Sequence, residues 1–394
     1  MTETLPVPGA QPRGCPFDPP DDYRRVQQDG DPVVVTLQHG RQGRLLTRYK
    51  DVRKALKDGH FSSSLHVLPP VIDGQSPPGW IFGMDPPEHT RYRRLLADMF
   101  SVRRMRRFEP RVERIVGERL EEIRGRGGPA DLMKDFAWPI SARVSCDLLG
   151  TTLDDQERFE RQVGRLVGAD VTPEVFVATY QEMWFHMLDL VRAKRTQPGD
   201  DVLSELLAAE DERGPLSDEE AASIGLQLRI AGKDLVAHAI GLGIFVLLRT
   251  PDQLDLLRKD PELVDNAVDE LLRYLPINNM GSVRKATEDA AAGDQQIAGG
   301  EVIVASLTAA NRDERTFPDA DRLDLTRRNA VQHVAFGHGA HRCLGQHQAR
   351  LMIAVSLREL LRHFPELRLA VAAEQVPPYE DMAFYGVAEL PVTW

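Results

Sequence analysis

One cysteine sits among glycines and histidines in the run Phe336-Gly337-His338-Gly339-Ala340-His341-Arg342-Cys343-Leu344-Gly345. The next segment, Gln346 to Val355, has the apolar spacing of a helix, so Cys343 is expected just before a helix N-terminus. The unsatisfied N–H groups there and the positive end of the macrodipole favour a thiolate over a thiol. Gly337, Gly339 and Gly345 let the backbone turn tightly and approach a bulky group closely. His338, His341, Cys343 and His347 are also of the types that bind zinc. A structural zinc site, however, commonly draws on two separated pairs, and the chain has no second cysteine pair.

Other residues carry chemistry by spacing. In the run Met84 to Leu96, His89 and Arg93 stand four apart on one helical face, with Asp85 and two prolines setting the first turn. Two donors so placed can hold both oxygens of a carboxylate. Arg103, Arg104, Arg106 and Arg107 follow at once, and with Arg342 and Arg350 they form a basic set suited to docking an acidic partner. A solvated basic turn is the plain alternative. Ser217 and Glu220 form a capping signature that opens one long helix ending near Arg249. Gly232 lies in its middle at a cost of about 1 kcal/mol against Ala, which a flat ligand pressed against the backbone would explain. Glu270 and Arg273 have the i,i+3 spacing of an ion pair.

The pattern Phe-Gly-x-Gly-x-His-x-Cys-x-Gly, met at Phe336, Gly337, Gly339, His341, Cys343 and Gly345, resembles the haem-ligand loop of the cytochrome P-450 superfamily, of the soluble bacterial type. The resemblance spans nearly the whole chain. It implies that Cys343 is the fifth ligand to the iron of haem b, with Phe336, Gly345 and Ala231 beside the macrocycle. It also implies that His89, Arg93, Arg284 and His341 hold the propionates. Ala231, Gly232 and Asp234 match the family's Ala-Gly-x-Asp/Glu-Thr signature, but Leu235 stands in the threonine's place. In the family the acid and the alcohol together deliver the protons that dioxygen reduction consumes. Leucine offers neither donor nor acceptor, so Asp234 is the catalytic residue that remains.

The resemblance further implies a structural triad of Glu270, Arg273 and Arg322. Substrate contacts are expected from Leu235, Asn279, Ser282 and Phe384. The long proline-bearing loop Phe61 to Gly83 and the segment Val171 to Ala193, with Trp184, Phe185 and Met187, would close over the pocket. No flavin or dinucleotide fingerprint is present, so electrons are expected from a ferredoxin-type donor with a separate reductase. The reaction would be hydroxylation, or radical coupling, of a small natural-product scaffold, an aromatic cyclic peptide among them. The alternative is a non-catalytic haem protein.

The elements that must position these residues read as mainly α. The expectation is a single large helical domain, 1–394, with small β-sheets and the haem between the long central helix and the cysteine-loop helix. Residues 1–31 are expected to be extended. Val33 to Leu37 and Arg44 to Tyr49 suggest a hairpin, Asp51 to Lys57 a short helix capped by Asp51, and Ala290 to Ala292 a loop. At 394 residues the length alone would permit two or three domains, but no linker separates modules. A net charge of -11 argues against nucleic acid as partner. Three cysteines make no disulfide framework, and no apolar N-terminal run suggests a signal peptide or anchor. A cytoplasmic monomer without a membrane partner is expected.

Overall fold

The computed structural model describes residues 4–6, 18–29, 33–37, 40–64, 77–166, 172–278, 281–379 and 385–394. From the N-terminus, β1 (Thr4–Pro6) leads to α1 (Asp21–Asp29), β2 (Val34–Thr36), β3 (Gln42–Leu46), α2 (Tyr49–Lys57) and β4 (Phe61–Ser62). Then come α3 (Glu88–Ala97), α4 (Val102–Arg126), β5 (Ala130–Asp131), α5 (Trp138–Leu149), α6 (Leu153–Gly164), α7 (Pro173–Thr196) and α8 (Val202–Ala208). A small hairpin, β6 (Glu210–Asp211) and β7 (Gly214–Pro215), precedes α9 (Asp218–Gly232), α10 (Asp234–Arg249), α11 (Pro251–Lys259) and α12 (Val264–Tyr274). The last part holds β8 (Ser282–Ala286), β9 (Ala290–Ala292), β10 (Gln295–Ile297), β11 (Val302–Ala305), α13 (Leu307–Asn311), α14 (Gln346–His363), β12 (Arg368–Leu369) and β13 (Pro391–Thr393). The class is mainly α with small sheets, about 60% helical. Two compact units arise from this order. The first takes Met1–Leu65, Glu109–Trp138 and Leu235–Trp394, and the second takes His66–Phe108 and Pro139–Asp234.

In the first unit, six strands form a sheet in the order β1-β2-β3-β11-β8-β4. Every residue of β11 is buried, as expected of a strand covered on both faces. It sets Ile303 opposite Arg44 on one side and opposite Arg284 on the other. Beneath the sheet, Leu46, Val52, Leu56, Phe61, Phe317 and Val334 share one apolar cluster, which ties α2 to the strands. The expected cap of α2 is corrected: the helix starts at Tyr49, whose N–H donates to Asp313 Oδ2 at 2.9 Å, so Asp51 already lies inside the helix. Ala290 to Ala292 is a strand, not a loop, because it pairs antiparallel with β10. Residues 1–31 are not simply extended either. Tyr23, Val26 and Gln27 recur at helical spacing and bury one face of α1. Near the C-terminus, β12, β13 and β5 form a three-stranded sheet with β13 at its centre.

In the second unit α7 packs on α9, with Trp184 Nε1 donating to Ser223 Oγ at 3.3 Å. Trp184 and Met187 are buried, whereas Phe185 is 53% exposed. Ser217 and Glu220 form the reciprocal capping box that starts α9. The single long helix expected from Ser217 to Arg249 is interrupted. α9 ends at Gly232 and α10 starts at Asp234, with Lys233 at φ -106°, ψ -61° between them. Ser141 Oγ donates to the Lys233 carbonyl at 2.6 Å, and a side chain engaging a backbone carbonyl beside a glycine is a recognised cause of such a break. By length and apolar content Asp218–Arg249 could cross a membrane, but 67% of its most apolar window is buried inside the protein.

Candidate functional site

The cysteine loop is held by its own backbone. Gly337 and Gly339 adopt φ of +71° and +75°, and a Cβ on Gly339 would lie 2.3 Å from the Leu56 carbonyl oxygen. Glycine is therefore required there by both conformation and space. Cys343 N donates to Phe336 O at 2.8 Å, and Gly337 N to Val334 O at 2.8 Å, which closes the loop on itself. The thiol of Cys343 is exposed, just ahead of Gly345, the residue capping the N-terminus of α14. Both the terminal N–H groups and the macrodipole favour a sulfur anion at such a position.

Behind the loop, Arg350 of α14 stacks over Phe336 at 4.7 Å and donates from Nε to Asp269 Oδ1 at 2.7 Å. His333 Nε2 lies 3.3 Å from the same oxygen. Burial would raise the Asp269 pKa, but the His333 hydrogen bond and the Arg350 charge hold it below the usual carboxylate range. Burial also pushes the His333 imidazole below its ordinary value, against the pull of Asp269.

A second network braces α12. Arg273 donates to Glu270 from Nε at 2.7 Å and from Nη2 at 2.8 Å, with both side chains fully buried. The expected third member, Arg322, is corrected. Its side chain is exposed and only its carbonyl takes part, accepting from Arg273 Nη2 at 3.2 Å. The arginine beside Glu270 is Arg327, with Nε 3.1 Å from Oε1. Two arginines in one loop look alike in sequence, and only the turns between Asp319 and Arg327 decide which points inward.

Arg284 is buried on β8, with Nη1 donating to Val283 O at 2.7 Å. Ser282 opens the same strand and is half-buried. His341 ends the short turn Gly339–His341 and is half-buried, as is Leu235 in the first turn of α10. The first unit thus holds Cys343, Phe336, Gly345, His341, Arg284, Ser282, Leu235 and the Glu270–Arg273 pair. Asn279 and Phe384 lie outside the described residues. Among the described residues no group of three or more His, Cys, Asp or Glu side chains is placed to hold a metal ion, so the zinc alternative has no ligand set there.

The second unit holds His89, Arg93, Ala231 and Asp234. His89 is buried and Arg93 half-buried on α3. That helix is anchored by Arg91, which donates to Asp211 and Glu220, and by the Tyr92 hydroxyl, which also donates to Glu220, each at 2.7 Å. The hydrogen bond to Asp211 raises the Arg91 pKa further, and burial raises that of Tyr92. Ala231 is exposed. Asp234 Oδ1 lies 3.3 Å from Lys233 Nζ, which also sits 2.7 Å from Glu160 Oε1. A Cβ on Gly232 would face α5, 3.9 Å from Ser145 Oγ, an ordinary contact. The glycine directly precedes the break at Lys233.

The basic set is smaller than its sequence suggests. Arg104 Nη2 is 2.7 Å from Glu205, and Arg350 is committed to Asp269. Sequence reasoning missed Arg327, Lys233 and Arg91. For Lys233 a signal existed, since a lone lysine in an apolar helical run, next to an acid, calls for a partner.

Residues 178–388 match the family model described as Cytochrome P450. Cytochrome P450-SU2 of Streptomyces griseolus is 40% identical, with 100% of this chain and 98% of that protein aligned. Nocardicin C N-oxygenase of Nocardia uniformis subsp. tsuyamanensis is 37% identical over 100% of this chain and 99% of its own. Among solved structures, the crystal structure of CYP105P1 in complex with filipin I superposes with a TM-score of 0.91 at 40% identity, covering 100% of this chain and 99% of that one.

Proposed function

This chain belongs to the cytochrome P450 family, and on that premise we propose that Cys343 ligates the haem iron and that the enzyme oxidises a scaffold of specialised metabolism. As a member of the family it is an oxidoreductase of the monooxygenase type that binds haem b. The observation that carries the ligand assignment is the exposed Cys343 thiol, fixed by a positive-φ glycine loop at the start of α14. The residues present fit the group, since Cys343 is exposed and its backbone N–H is tied to Phe336 O at 2.8 Å. Bound there, haem supplies dioxygen activation, which a thiolate ligand favours by promoting O–O cleavage.

The chain's own residues then have separate tasks. Arg284 and His341 would hold one propionate, and His89 and Arg93 the other, as charge-assisted donors. Phe336, Gly345 and Ala231 would line the macrocycle. Asp234 would give up protons during turnover and recover them from water. Leu235, which has no polar group, would present methyl groups to the substrate, with Ser282, Asn279 and Phe384 completing the contacts. Arg103, Arg106, Arg107 and Arg342 would attract an acidic ferredoxin served by a separate reductase, in the cytoplasm. The relatives support oxidation of such a scaffold, because one of them is named Nocardicin C N-oxygenase.

Hydroxylation is the first reading. The leucine at position 235 favours a second, radical coupling of an aromatic or cyclic-peptide scaffold, in which hydrogen is removed and no oxygen inserted. Screening cyclic peptides, macrolides, terpenes and aromatics for a substrate-induced change in the haem spectrum identifies the ligand class. Turnover of the best binder under isotopically labelled dioxygen then decides. Label in the product supports hydroxylation, and an unlabelled product lighter by two hydrogens supports coupling.

A further inference from the structure

We propose that Lys233 is the positioning residue for proton delivery in this enzyme, holding Asp234 in the absence of an alcohol at position 235. The proposal rests on Asp234 being the proton-giving acid. Neighbours at i and i+1 on a continuous helix do not face each other. Here they do, because the helix is broken at Lys233 and restarts at Asp234. Lys233 Nζ sits 3.3 Å from Asp234 Oδ1 and 2.7 Å from Glu160 Oε1, with the lysine side chain only 14% exposed. It is held at both ends. Ser141 Oγ donates to its carbonyl at 2.6 Å, and Glu160 is itself fixed by Gln156 Nε2 at 3.1 Å. Burial would raise the Glu160 pKa, but Lys233 and Gln156 keep it below the ordinary value, so it remains an anion to anchor the ammonium.

A flexible lysine on an exposed helix would give little direction to a carboxylate. This one is nearly buried, tethered through its backbone and shared between two acids, so it fixes the side-chain orientation of Asp234. The Asp234 side chain is 35% exposed, which leaves it open to water. In the step proposed, Asp234 gives one proton to the dioxygen that the ferredoxin-supplied electrons reduce and takes one back from bulk solvent, so the carboxyl is unchanged over the cycle. Lys233 keeps its three protons throughout and acts only by hydrogen bonding.

The test uses the holoenzyme with NADPH, a surrogate ferredoxin and its reductase, and dioxygen alone as the probe. Lys233→Met, Lys233→Arg, Glu160→Gln and Asp234→Asn are compared at matched haem loading. NADPH oxidation, hydrogen peroxide yield and the solvent deuterium isotope effect are read together. The carbon monoxide stretching frequency of the reduced protein is a readout that does not depend on turnover. Lys233→Met is expected to slow NADPH oxidation about 5-fold or more, raise the isotope effect and shift the stretching frequency in the same direction as Asp234→Asn. Lys233→Arg should return each value to within about 2-fold of the parent, and Glu160→Gln should fall between. If Asp234→Asn changes these readouts while Lys233→Met and Glu160→Gln do not, the positioning proposal is overturned and the acid assignment stands. If Asp234→Asn changes nothing, the acid assignment itself fails. Should Lys233→Met not load haem, Glu160→Gln decides in its place: parent-like values overturn the proposal, and changes in the direction of Asp234→Asn uphold it.

Discussion

Arg322 is exposed and lends only a carbonyl to the network around Arg273, whereas Arg327 is buried against Glu270. Removing Arg327 leaves Glu270 paired with Arg273 but strands the carbonyls of Pro318 and Asp319, to which Arg327 donates at 2.6 and 3.0 Å, at a cost of about 1–3 kcal/mol. Arg327→Ala should therefore lose about that much in urea titrations of the holoprotein, while Arg322→Ala should stay within about 0.5 kcal/mol. Equal losses at both positions would refute the assignment. His333 belongs to the same scale. Its folded-state pKa is depressed by burial, so the unfolded chain binds more protons below about pH 6.5 and stability rises with pH through that window. Lowering the pH from neutrality toward 5.5 should reduce the melting temperature of the parent more than that of His333→Asn. The Glu270–Arg273 pair was legible from spacing alone, because i,i+3 fixes a face. The third arginine was not, since its direction depends on turns whose dihedrals no residue type announces.

Elements position these groups, and two of them depend on single backbone points. Gly339 needs its left-handed conformation and has no room for a Cβ beside Leu56. Gly339→Ala should destabilise the protein by more than about 1 kcal/mol, with haem lost earlier in a thermal ramp than in the parent. An unchanged melting curve would show that the loop can relax. The break between α9 and α10 is held by Ser141, so Ser141→Ala should cost about 1 kcal/mol and increase amide exchange at the start of α10. Sequence made the cysteine loop and the capping box of α9 plain, since glycine spacing and Ser-x-x-Glu are local signals. The break was hidden because Gly232 and Lys233 lie in an otherwise helical pattern, and its cause, Ser141, is remote in the chain. The strand β9 was missed for a different reason: alanine is depleted in strands, and these residues become one only through pairing with the adjacent β10.

At the scale of the whole molecule, the helical class and the family were readable from periodicity and one loop. The grouping into two compact units was not. Three separate stretches build the first unit and two the second, so no linker marks a boundary in composition. Because the chain carries a net charge of -11, the proposed docking of an acidic ferredoxin rests on a local basic set and is an electrostatic one. Reduction by ferredoxin should slow as ionic strength rises, and Arg106→Glu with Arg107→Glu should slow it at low salt; indifference to both would remove the docking assignment. The central claim, that Cys343 presents a thiolate to haem iron, is tested most directly by the absorption spectrum of the reduced protein under carbon monoxide, recorded for the parent and for Cys343→His. The parent should show the long-wavelength Soret band of thiolate ligation, and the variant the shorter-wavelength band of imidazole ligation in its place. Identical spectra for the two proteins would contradict it.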